Sequence, residues 1–268
     1  MPGDLCRDGP VLKAGRSISS IRRHAMSTAA SPKAGCEWYA AMCGWSLFSG
    51  NVMVEGTSDV AYFALAARLH RAKSGASLLG SDLSIFDAGM EEEGGTFGIS
   101  EKFPTLFNLA SLDQDSKGRR RFRVIALLDD DTMGRSAVNL IAGGHRQIRE
   151  YESTFRLRRV MPRRTDSARA LASQTETANA VFRRLECTIE DMLSDELCAR
   201  FVASRPDAVN RPASTVATGT HRYWTPSGKR MLRQFAEEQA TIDDVLSLVD
   251  ALRSLRSYVG LPPDGIEP

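Results

Sequence analysis

Residues 122–128 read FRVIALL, an apolar run interrupted only by Arg123, and they lead straight into three acids, Asp129, Asp130 and Asp131. A strand apolar on both faces must be covered on both, which is the condition of a parallel strand sandwiched between helices. The flanking sequence supplies the rest of such a sheet. Asn51–Glu55 and Leu83–Phe86 are short strands, and 154–161 reads as another. Between and after them, 60–72, 100–112, 135–150 and 166–186 carry helical spacing. Strand–helix alternation at this interval predicts an α/β fold with a central, mostly parallel sheet flanked by helices.

The ends of the chain read differently. Residues 1–35 hold Pro, Gly, Ser, Ala and Arg without a sustained apolar period, so they read as a disordered extension, with Met26 an alternative start. Cys36–Phe48 is expected to be a short helix leading into a core over 36–203. Residues 204–227 read as a Pro/Ser/Thr/Gly loop, and Lys229–Tyr258 as two amphipathic helices that complete a C-terminal extension over 204–268. With 42% hydrophobic and 25% charged residues the composition is that of a globular chain, and no apolar run approaches the ~20 residues of a membrane helix. Asp4, Arg7 and Asp8 are not followed by the apolar stretch of a secretory signal, so a cytoplasmic protein is expected. The five cysteines form no C-x-x-C pair, which argues for reduced, mostly buried thiols rather than zinc or dithiol chemistry. His24, His70 and His145 have no partner at ligand spacing and read as surface residues.

The informative feature is where the acids fall. In open α/β sheets ligands gather beyond the carboxyl ends of the strands. Glu55 stands at one such end, with Asp59 in the first turn of the next helix, and Asp129 and Asp131 stand at another, before Gly134. Glu190 lies at the junction of two expected helices. Acids in first turns also serve as caps, which accounts for Asp59 or Asp191 taken alone. A D-x-D closing the most apolar strand is not explained that way. Several carboxylates meeting at one edge repel unless a cation sits among them, and oxygen donors without His or Cys favour Mg²⁺ or Mn²⁺. Two such ions about 4 Å apart make a phosphodiester-cleaving site.

VEGTSD at 54–59, followed some seventy residues on by VIALLDDDTMG at 124–134, resembles the TOPRIM domain of topoisomerases, primases and the overcoming-lysogenization-defect (OLD) nucleases. The downstream run TIED (Thr188–Asp191) and the Gly228-Lys229 pair resemble the C-terminal part of the OLD type. The resemblance spans about 50–261. It implies a TOPRIM-like, Rossmann-like fold and a two-metal DNA endonuclease. In that reading Glu55, Asp129 and Asp131 hold the first ion, and Asp59, Thr188 and Glu190 serve the second. Lys229 is then the cation at the transition state, and Asp130 supports rather than ligates. The departure is the missing ATPase: the chain has no G-x-x-x-x-G-K-[ST] loop. A separate ABC-type ATPase subunit in DNA processing or phage defence is therefore the implied partner, beside DNA, with no membrane and with self-association compatible.

Of the 35 basic residues 29 are Arg, which suits bidentate phosphate contacts but also follows from a GC-rich genome. Arg156 and Arg158, expected on one face of a strand end, together with Arg163 and Arg164, are candidate nucleic-acid contacts, as is His221 in the loop before Lys229. The run from Lys117 to Arg123 could contact phosphates, but it reads more readily as a solvated flank of the strand, since it lies at the end away from the acids. The alternative to a DNA endonuclease is a non-catalytic or RNA-cleaving TOPRIM subunit of an ATPase-driven defence complex.

Overall fold

The computed structural model describes residues 35–80, 82–89, 94–216 and 218–265. The expected N-terminal extension, with Met26, Cys6 and His24, lies outside these residues except for Gly35, and so do Glu91–Glu93. Four parallel strands form the centre: β1 (Gly50–Val54), β2 (Leu83–Asp87), β3 (Arg123–Leu128) and β4 (Thr154–Arg156), in the order β2-β1-β3-β4. The expected parallel α/β sheet is thus present, Rossmann-like in layout.

Strand alternation divides the core in two, since successive side chains point to opposite faces. Val52, Val54, Ile125, Leu127 and Phe155 face one side, where α2 (Thr57–Ser74) and α8 (Leu246–Tyr258) pack. Met53, Phe86, Val124, Ala126 and Leu128 face the other, beneath α3 (Gly95–Leu112) and α4 (Thr132–Gly144). Helix α1 (Gly35–Met42) is shorter than expected because Gly44 turns the chain at φ 77°, which lets Trp45 stack on Phe86 at 4.9 Å. The other helices are α5 (Ala168–Ala178), α6 (Asp195–Ser204) and α7 (Pro226–Gln239).

Four secondary-structure expectations need correction. The strand over 154–161 stops at Arg156, because Leu157–Arg159 leave the sheet to place two guanidiniums in a polar recess, and Val160 is then held by Asn179, whose side-chain amide pairs with its N–H and C=O. The helix over 135–150 ends at Gly144, and that over 166–186 is α5 followed by a 3₁₀ turn at Ala180–Phe182. The loop over 204–227 contains a hairpin, β5 (Val209–Val216) with β6 (Gly219–Trp224). Its signal was the Thr, Val, Tyr and Trp around Thr218-Gly219; Pro212 masked it, and the pairing indeed slips between Arg211 and Ser214.

At the end of the sheet away from the acids, Arg256 on α8 is fully buried and forks onto Asp82, with Nη1 to Oδ1 at 2.9 Å and Nη2 to Oδ2 at 2.6 Å. Cys36, Cys187 and Cys198 are buried free thiols, as expected, with Cys43 partly so. His70 is also buried, not surface, and stands 3.1 Å from the Ser74 hydroxyl. Among the described residues no helix is long and apolar enough to cross a membrane.

Candidate functional site

Glu55 follows β1 directly, and its Oε1 accepts from the Asp129 backbone N–H at 2.9 Å, so the ends of β1 and β3 are tied together by one carboxylate. Asp59, in the first turn of α2, accepts from Gly56 N at 3.0 Å. Asp131 caps α4, its Oδ1 accepting from Gly134 N at 2.7 Å. The glycine of the D-x-D-x-x-G turn has a steric reason. A Cβ on Gly134 would overlap the Asp129 carbonyl oxygen. Gly134→Ala is accordingly expected to push α4 off the strand end and cost about 1–3 kcal/mol of stability in urea unfolding.

The fifth acid, Glu190, arrives from far along the chain. Asp130 and Cys187 form an antiparallel bridge, with Asp130 N donating to Cys187 O at 2.9 Å, and this lays Thr188–Asp191 beside the D-x-D turn. Thr188 Oγ1 donates to Glu190 Oε2 at 2.8 Å, and the Lys229 ammonium lies 3.2 Å from that same oxygen. Lys229 is presented by the first turn of α7, capped by the Thr225 hydroxyl on Gly228 N. Glu55, Asp59, Asp129, Glu190, Lys229 and Arg230 line one cavity of about 530 Å³. Asp131 and Thr188 lie outside its wall, although Asp131 is close enough to act electrostatically on Glu55.

The electrostatics are those of acids held together against repulsion. Burial, then Asp59, Glu55 and Glu190, hold the Asp129 carboxyl well above the usual carboxylate range. Asp59 is pushed up to about 7, by burial first and by Glu190 and Glu55 after it, against the pull of the Gly56 amide and Lys229. Glu55 is raised too, by burial opposed by the Asp129 amide. Burial works against the Lys229 charge, but Glu190, Asp129 and Asp59 outweigh it and its pKa is raised. One α2 turn beyond Asp59, the fully buried Tyr62 hydroxyl has no hydrogen-bond partner among the described residues and feels the charges of Glu190 and Asp59.

The donors fit a hard divalent cation: carboxylate oxygens, a hydroxyl and no soft ligand. As the side chains stand, no three His, Cys, Asp or Glu among the described residues converge to hold one ion. Glu55 is turned onto the Asp129 amide, Asp59 onto Gly56 and Glu190 onto Thr188 and Lys229, so each spends an oxygen on a protein donor.

The expected nucleic-acid contacts are placed unevenly. Arg156 ends β4 and Arg158 lies beyond it, so they share no strand face, but both reach one acid: Arg156 Nη1 lies 2.8 Å from Asp130 Oδ1, and Arg158 Nε 3.4 Å from Asp130 Oδ2. Asp130 thus faces these arginines and not the cavity. Arg163 and Arg164 are not brought to the acids; Arg164 instead donates from its backbone to Ser257 Oγ and from Nη1 to Tyr258 O, beside the end of α8. His221 is on β6, not in a loop, and is buried, its Nδ1 lying 2.7 Å from Asp191 Oδ2. It holds Asp191, which accepts from Thr188 N, and so steadies the segment that carries Glu190. Of the residues that escaped notice in the sequence, Tyr62 was legible as the i+3 neighbour of Asp59, and Arg230 as the cation after Lys229.

Fold and site together define a four-stranded parallel α/β protein with a carboxylate-rich cavity beyond the carboxyl ends of its two central strands. No family model, no curated protein and no solved structure matches this chain.

Proposed function

We propose that the chain is a divalent-metal-dependent endonuclease of TOPRIM type, close in plan to the OLD nucleases, that hydrolyses phosphodiester bonds in DNA. The observation that supports this reading is that Glu55, Asp59, Asp129, Glu190 and Lys229, drawn from four separated segments, line one cavity at a strand-end edge. Glu55 and Asp129, with Asp131 at the rim, are the ligands proposed for one Mg²⁺ or Mn²⁺, and Asp59 and Glu190, with Thr188, those for a second. When bound, such ions offset the charge of the phosphate and make a coordinated water acidic.

The chain's own groups do the positioning. Lys229, held by Glu190, puts a fixed positive charge where a phosphate gathers negative charge. Arg230 is exposed at the cavity wall, able to grip a neighbouring phosphate oxygen. Glu55, through the Asp129 amide, keeps the two strand ends in register so that acids from both reach the same space. An ABC-type ATPase partner and a role in DNA processing or phage defence belong to the same proposal.

Supercoiled plasmid and single-stranded RNA, each incubated with Mg²⁺, Mn²⁺ or EDTA, test it. Nicking of the plasmid with either metal, abolished by EDTA and reduced about 100-fold or more in Glu190→Gln, is the expected result. RNA cut in preference to DNA moves the substrate class. Neither nucleic acid cut under any condition leaves the binding-subunit reading in place of the enzyme.

A further inference from the structure

On the far side of the D-x-D turn from the carboxylate cavity lies a second recess of about 210 Å³, walled by Arg135, Arg156, Arg158, Arg159 and Arg183 around Asp130. We propose that this recess is a phosphate site, and that it takes a backbone phosphate of the same nucleic acid whose scissile phosphate enters the carboxylate cavity. The second half of that statement rests on the proposed nuclease function; the first does not.

Charge carries the argument. Within the wall five guanidiniums meet two carboxylates, Asp130 and Glu176. Counting Glu150 and Asp191, which pair with Arg156 and Arg159 from outside it, leaves the cations in excess. A cluster built only to neutralise Asp130 needs fewer. Arg183 is exposed, with no ion-pair or hydrogen-bond partner among the described residues, and the Arg135 side chain is 43% exposed. Arg159 Nε is a buried donor without an acceptor, and leaving a buried donor unmade is costly. Planar guanidinium forks match phosphate oxygens bidentately, which single ammonium groups do not. The volume is below the ~300 Å³ at which small-molecule pockets begin, so it suits one small anion rather than a base.

Position links the recess to the chemistry. Asp129 lines the cavity and Asp130 the recess, and Cys187 in the recess wall is followed by Glu190 in the cavity. One turn of backbone therefore separates the two. A strand passing over that turn meets acids on one side and arginines on the other.

The test is binding in EDTA, where cleavage plays no part, with a fluorescent single-stranded 12-mer read by anisotropy across a salt series. Arg183→Glu, at an exposed unpaired position, is expected to weaken binding about tenfold and to lower the salt slope by about one. Arg135→Ala is expected to act in the same direction. Arg71→Ala, exposed on the last turn of α2 at the other end of the sheet, is the control and should bind as wild type. Displacement of the 12-mer by millimolar inorganic phosphate would assign an isolated phosphate group, and resistance to it a chain phosphate. Wild-type affinity and slope in folded Arg183→Glu and Arg135→Ala overturn the site. Metal-dependent cleavage with unchanged KM in those variants also rejects the site while sparing the nuclease. Weakened binding in them beside a wild type that never cuts keeps the site and removes the nuclease.

Discussion

Asp129→Asn is expected to abolish metal-dependent cleavage, by about 1,000-fold or more, while making the metal-free protein more stable. The first effect follows from place: Asp129 is the acid at the end of the central strand, within electrostatic reach of Asp59, Glu55 and Glu190. A thousandfold loss corresponds to about 4 kcal/mol of transition-state stabilisation, in the range for removing a directly engaged group. The second follows from repulsion. Asn keeps the shape but removes one charge from a buried cluster of acids, which should be worth about 1–2 kcal/mol, or a Tm higher by roughly 3–6 °C in EDTA at pH 8. The pair of measurements is plasmid nicking with Mn²⁺ and thermal unfolding with EDTA. Mn²⁺ should raise the Tm of the wild type more than that of the variant, because only the wild type presents the full set of acids. A variant that cuts at the wild-type rate removes Asp129 from the site, and one that is less stable in EDTA removes the repulsion argument.

The second large effect is on folding alone. Arg256→Met is expected to cost about 3–5 kcal/mol, lowering Tm by roughly 10 °C or more in thermal unfolding. The guanidinium is fully buried and donates to both oxygens of Asp82 as well as to the Leu78 and Pro262 carbonyls. Methionine fills much of the volume but leaves a carboxylate and two carbonyls without their donor. Asp82→Asn should cost less, since the amide retains an acceptor. The double variant should recover part of the sum, which identifies the pair rather than each residue as the unit. Because the clamp joins α8 to the segment entering β2, its loss is also expected to loosen the C-terminal helix first, readable as faster hydrogen exchange over 246–258.

Much of this architecture is legible in the amino-acid sequence alone. The apolar run at 122–128 dictated a strand covered on both faces, and the alternation of short strands with helical spacing dictated the parallel sheet, because side-chain periodicity is a local property of the chain. The acids at strand ends were legible for the same reason. The hairpin was not, since Pro212 interrupts its pattern and its pairing depends on packing against Phe201 through Trp224. Nor was the fate of His221, whose partner Asp191 lies 30 residues away.

Glu55, Asp59, Asp129 and Lys229 as residues at helix or strand termini were thus determined by the amino-acid sequence itself, through capping, hydrophobic period and the demand of Gly134 for space. Only the tertiary structure decided that Glu190 and Lys229 reach the same cavity, and that Asp130 turns its back on it to gather Arg135, Arg156 and Arg158 from two later segments. Those outcomes depend on a backbone bridge between Asp130 and Cys187, and on charges that find one another only after the sheet has formed. Long-range pairing of that kind has no period to read, because it is settled by burial and Coulomb forces between segments that are strangers in the chain.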